Sequence, residues 1–371
     1  MKDLRFLNHW GSDPQYALKS QKKSREEKIM QKLRVVQVGA GRFTHADHTM
    51  QSMRSMPDYY DVVGVCEPNE KARALAMPRE AYRDMKWLEL DDVLRDHTLD
   101  ALIVETDELD QARTALMAAQ EGFAVHMDKP GGEDIQAFEQ LVETVKHKNL
   151  VFQSGYMLRY NPAVVKLLET IRAGKLGDIL CVEAQMSPPR YGRAFAQDVM
   201  SYMKGGMAYY LGCHLMDLVY LVKGAPLEVI PMNACTGARD TDGLDYGFVV
   251  YRYKEGPSFI KTTSSEVSGV VRRQLIVSGT KGTAEIEPLE GDTPQQSALF
   301  CTHKVSLRLS FEKDDASAWT TETYDFPPYG RYTEMMIDFA RMVRGETKNV
   351  YTPDYELAVF RLLLESCGLN Q

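Results

Sequence analysis

Leu33-Arg-Val-Val-Gln-Val-Gly39-Ala-Gly41-Arg-Phe-Thr44 is the stretch that decides the fold. A short β-branched run stops at a glycine, and a helical pattern follows. Gly39 permits the tight turn out of the strand. Gly41 lets backbone approach a pyrophosphate held at the helix N-terminus. Thr44 stands where the dinucleotide fingerprint has its third glycine, which loosens helix–strand packing and leaves the phosphate cradle intact. Gly39, Gly41, Arg42, Phe43 and Thr44 therefore form the candidate cofactor loop.

The flanking sequence supports that reading. Asp61-Val-Val-Gly-Val-Cys66 is a second strand, and it closes at Glu67, 23 residues past Thr44. A carboxylate there accepts from the ribose 2′-hydroxyl and repels a 2′-phosphate, which favours NAD over NADP. Arg42 and Arg73 are the nearby cations that favour the opposite choice. Further strands are expected at Ala101–Val104 and Ala124–Met127, with helices at Leu109–Glu121 and Ile135–Lys148 between and after them. Strands joined by ten-residue helices imply right-handed crossovers and a parallel sheet.

After about residue 152 the pattern changes. A helix at Pro162–Ala173, a strand at Ile179–Gln185 and a helix near Leu215–Leu221 precede strands with no helices between them. These are Tyr246–Tyr253, Ser258–Ser264, Arg273–Ser278 and Thr283–Glu287, the last two joined through Gly279-Thr-Lys-Gly282 as a hairpin. They predict an antiparallel sheet. Helical patterns at Tyr332–Arg344 and Asp354–Ser366 close the chain.

Composition narrows the function classes. The 371 residues are 44% hydrophobic and 26% charged, with a net charge of −8, which fits a globular protein of about two domains and makes nucleic acid a poor partner. No stretch reaches the roughly 20 apolar residues of a membrane span. Six cysteines are scattered without a Cys-x-x-Cys pair, which reads as buried free thiols in a reducing compartment. With no apolar signal core in the first thirty residues, the expected location is the cytoplasm.

Two places carry candidate chemistry. Asp128-Lys129-Pro130 ends the fourth strand, and in an open parallel sheet ligands gather at the carboxyl ends of strands. A lysine there can hydrogen-bond a substrate hydroxyl and relay its proton, although strand-end lysines are often only solvated. In Gly212-Cys-His214-Leu-Met-Asp217, histidine suits a general base, and Asp217 either orients it or caps the helix. His45 and His48 have the spacing of metal ligands but no third ligand, so no metal is expected. Met200, Met203 and Met207 read as core or pocket lining, and the arginines of Pro188–Arg193 read as a solvated loop. Tyr160, Tyr191, Tyr209 and Tyr210 suggest an aromatic surface for a sugar ring.

Gly39-x-Gly41, Asp128-Lys129-Pro130, Gly155-Tyr-Met-Leu-Arg159-Tyr-Asn-Pro162 and Gly212-Cys-His214-x-x-Asp217 together resemble the Gfo/Idh/MocA family of glucose–fructose oxidoreductase and inositol dehydrogenase. The resemblance runs from about Leu33 to the C-terminal helices. It implies an N-terminal Rossmann doubly wound parallel sheet and a C-terminal α/β domain with a large, mainly antiparallel open sheet. The expected division is an extension at 1–31, an NAD-binding domain at 32–152, and a substrate and oligomerisation domain at 153–371.

By the same resemblance, Lys129 is the catalytic lysine and His214 exchanges the substrate proton, while Thr106 and Asp128 line the cofactor. Tyr156, Arg159, Tyr160, Tyr210 and His214 are the candidate substrate contacts. Many relatives carry an aspartate where Tyr210 stands, so Tyr210 joins Lys129 and His214 as a candidate catalytic residue. The loop Asp107-Glu108…Gln111 is also more acidic than the Pro-Asn…His of relatives.

The implied activity is an NAD-dependent oxidoreductase that moves hydride between nicotinamide and a hydroxyl or carbonyl carbon of a sugar, glycoside or polyol. Two other readings stand beside it. One is a glycoside-processing enzyme that retains NAD and uses it transiently, and the other is a non-catalytic sensor of NAD or sugar. The open sheet leads us to expect a homodimer or homotetramer.

Overall fold

A computed structural model describes residues 31–41, 44–188, 193–238, 240–290, 304–313 and 318–369. Arg42, Phe43, the N-terminal extension through residue 30, residues 189–192 with Arg190 and Tyr191, and Cys301 lie outside the described residues.

In the first half, β1 (Leu33–Val38), α1 (Ala46–Arg54), β2 (Tyr60–Cys66), α2 (Glu70–Ala76), β3 (Trp87–Leu88), α3 (Leu90–Arg95), β4 (Ala101–Val104), α4 (Gln111–Glu121), β5 (Ala124–Met127), α5 (Ile135–Lys148) and β6 (Phe152–Ser154) alternate. The strands form one sheet in the order β3-β2-β1-β4-β5-β6, and every pairing is parallel. Val35, Val36 and Val38 of β1 and all of β4 are buried, as expected for parallel strands covered on both faces. Local chemistry sets the helix ends. Asp134 caps α5 by accepting from Ala137 N, and Asn149 ends it in the left-handed region with three basic residues in the last turn.

The second half contains α6 (Pro162–Arg172), β7 (Ile179–Gln185), α7 (Arg193–Tyr202), α8 (Gly206–Tyr210), α9 (Gly212–Lys223), β8 (Glu228–Pro231), β9 (Tyr246–Arg252), β10 (Ser258–Thr263), β11 (Gln274–Gly279), β12 (Gly282–Ile286), β13 (Val305–Glu312), β14 (Trp319–Phe326), α10 (Thr333–Val343) and α11 (Pro353–Ser366). Its eight strands run in the order β14-β13-β12-β11-β7-β10-β9-β8. All pairings are antiparallel except β7 with β10. One face packs on α6 and α9 through Val182, Val249, Ile260, Leu275 and Leu307, while Phe248, Val250, Phe259 and Ile276 of the other face stay half-exposed.

The predicted fold class is borne out, down to the β11–β12 hairpin. The sequence reading passed over β3, β6, β8, β13 and β14. Val305-x-Leu307-x-Leu309 carries the alternation of a strand with one buried face, whereas β14 lies at the sheet edge, largely exposed, and its sequence has no such alternation. Cys235 is exposed and Cys181 half-exposed, which corrects the expectation of buried thiols; Cys66, Cys213 and Cys367 are buried. Met200, Met203 and Met207 are core.

The halves are held together by the last two helices. Phe360 of α11 stacks on Phe138 of α5 with centroids 4.1 Å apart, and the edge of His126 in β5 meets Phe339 of α10. This packing brings the carboxyl ends of β1, β4 and β5 against α8, α9 and the segment before α10. No helix among the described residues is long and apolar enough to cross a membrane.

Candidate active site

The turn after β1 has no room for side chains. Gly39 has φ +104°, and a Cβ on it would lie 2.2 Å from the Thr106 nitrogen. A Cβ on Gly41 would lie 2.8 Å from Thr44 Cγ2 and 3.0 Å from the Thr106 carbonyl carbon. The turn is pinned by Gly39 N donating to Cys66 O at 2.6 Å and Gly41 N donating to Glu105 O at 3.0 Å. Glu67, at the end of β2, accepts from Ala40 N at 2.7 Å and from Asn69 N at 2.9 Å. Burial raises its pKa, and those two N–H groups oppose the rise. Thr106 Oγ1 is buried with no partner in the protein. A backbone cradle that a Cβ would fill, an acidic residue at its rim and an orphaned hydroxyl fit a dinucleotide. Arg73 is drawn away to Glu89 at 2.7 Å; Arg79 instead braces the loop, donating to Ala40 O at 3.3 Å and pairing with Asp47 at 2.9 Å.

Lys129 follows β5 and is 1% exposed. Its Nζ donates to Tyr210 O at 3.4 Å, lies 5.2 Å from the centre of the Tyr210 ring, and stands 3.6 Å from Glu108 Oε1. Burial alone would lower its pKa, but the surrounding Cys213, Glu108 and Asp128 outweigh burial and raise it, so the ammonium form persists. His214, in the first turn of α9, is also 1% exposed, and its Nδ1 has no partner. Burial, then the charges of Lys129 and His45, hold its pKa well below 6.5. The site therefore combines a cationic donor with a neutral imidazole.

Tyrosines frame this pair. Tyr156 meets the His214 ring edge-on at 6.1 Å, with its hydroxyl buried and unpartnered. Tyr332, just before α10, lies 5.4 Å from His45 and stacks on His48 at 5.7 Å, and its hydroxyl is likewise buried without a partner. The sequence reading missed Tyr332 because nothing local marks it; it reaches the site only through the packing of α10 against α1.

Other predicted residues have different work. Asp128 turns inward, accepting from His45 N at 3.1 Å and Lys129 N at 2.8 Å, with its Oδ1 2.9 Å from His45 Nδ1. Burial would raise its pKa, but His45 dominates and holds it at about 2. Asp128 thus orients His45 and the Lys129 backbone. Arg159 is paired internally: its guanidinium donates to Asp217 at 2.7 Å and to Glu356 at 2.6 Å, enclosed by Tyr156, Tyr351 and Tyr355. Asp217 therefore serves Arg159 and does not orient His214. The Tyr160 hydroxyl donates to Asp338 at 2.9 Å. It borders a separate cleft of about 850 Å³ with Pro162, Lys166, Phe326 and Arg341. Among the described residues no group of three or more His, Cys, Asp or Glu is placed to hold a metal ion.

Residues 33–156 match the oxidoreductase family with an NAD-binding Rossmann fold, and residues 164–285 match the Gfo/Idh/MocA C-terminal domain. The chain belongs to the Gfo/Idh/MocA oxidoreductase family. Trans-1,2-dihydrobenzene-1,2-diol dehydrogenase of Sus scrofa is 24% identical over 243 residues, 63% of this chain and 68% of that protein. Scyllo-inositol 2-dehydrogenase (NAD(+)) of Bacillus subtilis is 26% identical over 205 residues, 53% of this chain and 56% of that protein. The chain thus spans about half to two thirds of the length of such relatives. In fold it is similar to a 3-ketoreductase from Actinomadura kijaniata solved with NADP and TDP-benzene, with a TM-score of 0.71 at 14% identity over 90% of this chain and 96% of that one.

Proposed function

We propose that this family member is an NAD-dependent dehydrogenase of a sugar, glycoside or polyol, working between a hydroxyl and the corresponding carbonyl. One observation carries the reading: the buried Lys129 ammonium and the neutral His214 imidazole share the carboxyl end of the parallel sheet, beside the glycine cradle. The bound cofactor would accept or return hydride at the substrate carbon. Lys129 donates a hydrogen bond to the substrate oxygen and so stabilises the negative charge that grows there during oxidation. His214, uncharged, takes the hydroxyl proton and returns it in the reverse direction. Tyr210 positions Lys129 through its carbonyl and ring, and the free hydroxyl of Tyr156 offers a further contact to a polyhydroxylated substrate.

The preference for NAD rests on Glu67, whose carboxylate would face a 2′-phosphate unfavourably. The half-exposed apolar residues Phe248, Val250, Phe259 and Ile276 on the open sheet face support a homodimer or homotetramer. The reading is tested by denaturing the purified protein, identifying released nucleotide by mass spectrometry, and screening cyclitols and sugars for NAD reduction. Lys129→Ala is expected to abolish turnover while leaving NAD affinity within a few-fold. Retained turnover in that variant would overturn the assignment of Lys129.

A further inference from the structure

Glu108 sits in the acidic loop after β4. It is fully buried, and neither carboxylate oxygen accepts a hydrogen bond. Its nearest cation is Lys129, at 3.6 Å. A buried carboxylate with so little direct support is costly unless a charge repays it. A lysine cation has the complementary difficulty, because the nicotinamide ring is itself a cation in the oxidised cofactor and neutral in the reduced one. Two positive charges brought together inside a low-dielectric site repel strongly.

We propose that Glu108 is a specificity-determining residue for the oxidation state of the cofactor: its carboxylate offsets the Lys129 charge so that the site accepts the oxidised nicotinamide alongside the lysine. This rests on the reading that Lys129 faces the nicotinamide. Burial lifts the Glu108 carboxyl to about 8, with Lys129 opposing the rise, so near neutral pH much of it is protonated before the cofactor binds. Arrival of the cationic ring favours the ionised form and drives the proton out to solvent. The groups that interact with Glu108 are Asp107 on its own loop, Asp128 and Lys129 after β5, Tyr202 at the end of α7, Tyr209 of α8 and Cys213 of α9. The thiol of Cys213 is pushed up to about 12, and burial raises both tyrosines, so among these Glu108 is the group poised to release a proton near neutrality.

The test is calorimetry of the whole chain with NAD and with NADH at pH 7, in buffers of different ionisation enthalpy. The wild type is expected to release close to one proton on binding NAD and almost none on binding NADH. Glu108→Gln should weaken NAD about tenfold, keep NADH within roughly twofold and abolish the proton release. Lys129→Met in that background should restore the ratio of the two affinities. Equal weakening of both forms, or unchanged proton release in Glu108→Gln, would mean a structural role only and overturns the proposal. Should the wild type bind neither form, the dehydrogenase reading itself fails, a result distinct from equal weakening.

Discussion

Arg159 and Asp217, 58 positions apart in sequence, meet at 2.7 Å in the interior, with Glu356 closing the other side of the guanidinium. The triad ties the loop after β6 to α9 and α11, and α9 is the helix that presents His214. Its contribution to the site is therefore architectural. Arg159→Met would leave two carboxylates buried without a counter-charge, and removal of one partner from a buried pair costs about 3–5 kcal/mol. Chemical denaturation should register that loss. Adding Asp217→Asn and Glu356→Gln should recover part of it, and a single variant as stable as wild type would contradict the assignment.

Gly39 should tolerate no side chain. Its φ of +104° disfavours any L-residue, and the added Cβ would sit 2.2 Å from the Thr106 backbone nitrogen. Gly39→Ala is expected to lose nucleotide binding and to destabilise the fold by at least about 1–2 kcal/mol. Nucleotide titration and urea unfolding of the same preparation check both parts.

Glu67→Ala should move cofactor preference toward NADP by about tenfold, because a buried negative charge is removed from the ribose end. It should also weaken NAD several-fold, since the Ala40 and Asn69 N–H groups lose their shared acceptor. Fluorescence titrations with NADH and NADPH measure both. An unchanged ratio would remove Glu67 from cofactor selection.

The buried histidines should resist protonation. Burial is the leading cause holding His126 and His214 below 6.5, so the folded state resists protons that the unfolded chain accepts. The stability these histidines contribute is then present above pH 6.5 and falls as pH drops below it, by about 1.4 kcal/mol per pH unit for each histidine until its own folded pKa is reached. His48, held at about 4, adds a loss at the same rate until pH reaches about 4. Asp128, held at about 2, adds a further loss only as pH falls from 3.8 toward 2. Glu105 and Glu108, whose carboxyls burial raises, change stability in the opposite sense over the same window. The check is therefore the NMR titration of each histidine ring, and a midpoint near 6.5 would show that the histidine titrates normally.

Much of the fold was legible because its signals are local. A β-branched run ending at Gly39, helices of ten residues between strands, and the switch to consecutive strands after residue 240 each follow from period and punctuation within a dozen residues. Lys129 and His214 were legible for a related reason: each sits in a short motif at an element boundary. The sequence also held one signal whose meaning it did not disclose, the acidity of the loop carrying Glu108.

By itself, then, the chain determined its two sheets, its glycine cradle and the lysine and histidine of the candidate site. Tertiary structure decided what surrounds them. Asp128 met His45, Arg159 paired with Asp217 in the core, Tyr332 entered from 118 residues beyond His214, and Glu108 came within 3.6 Å of Lys129. Local periodicity encodes which face of an element is buried, whereas the partner of a buried charge is chosen by packing between elements far apart in the chain.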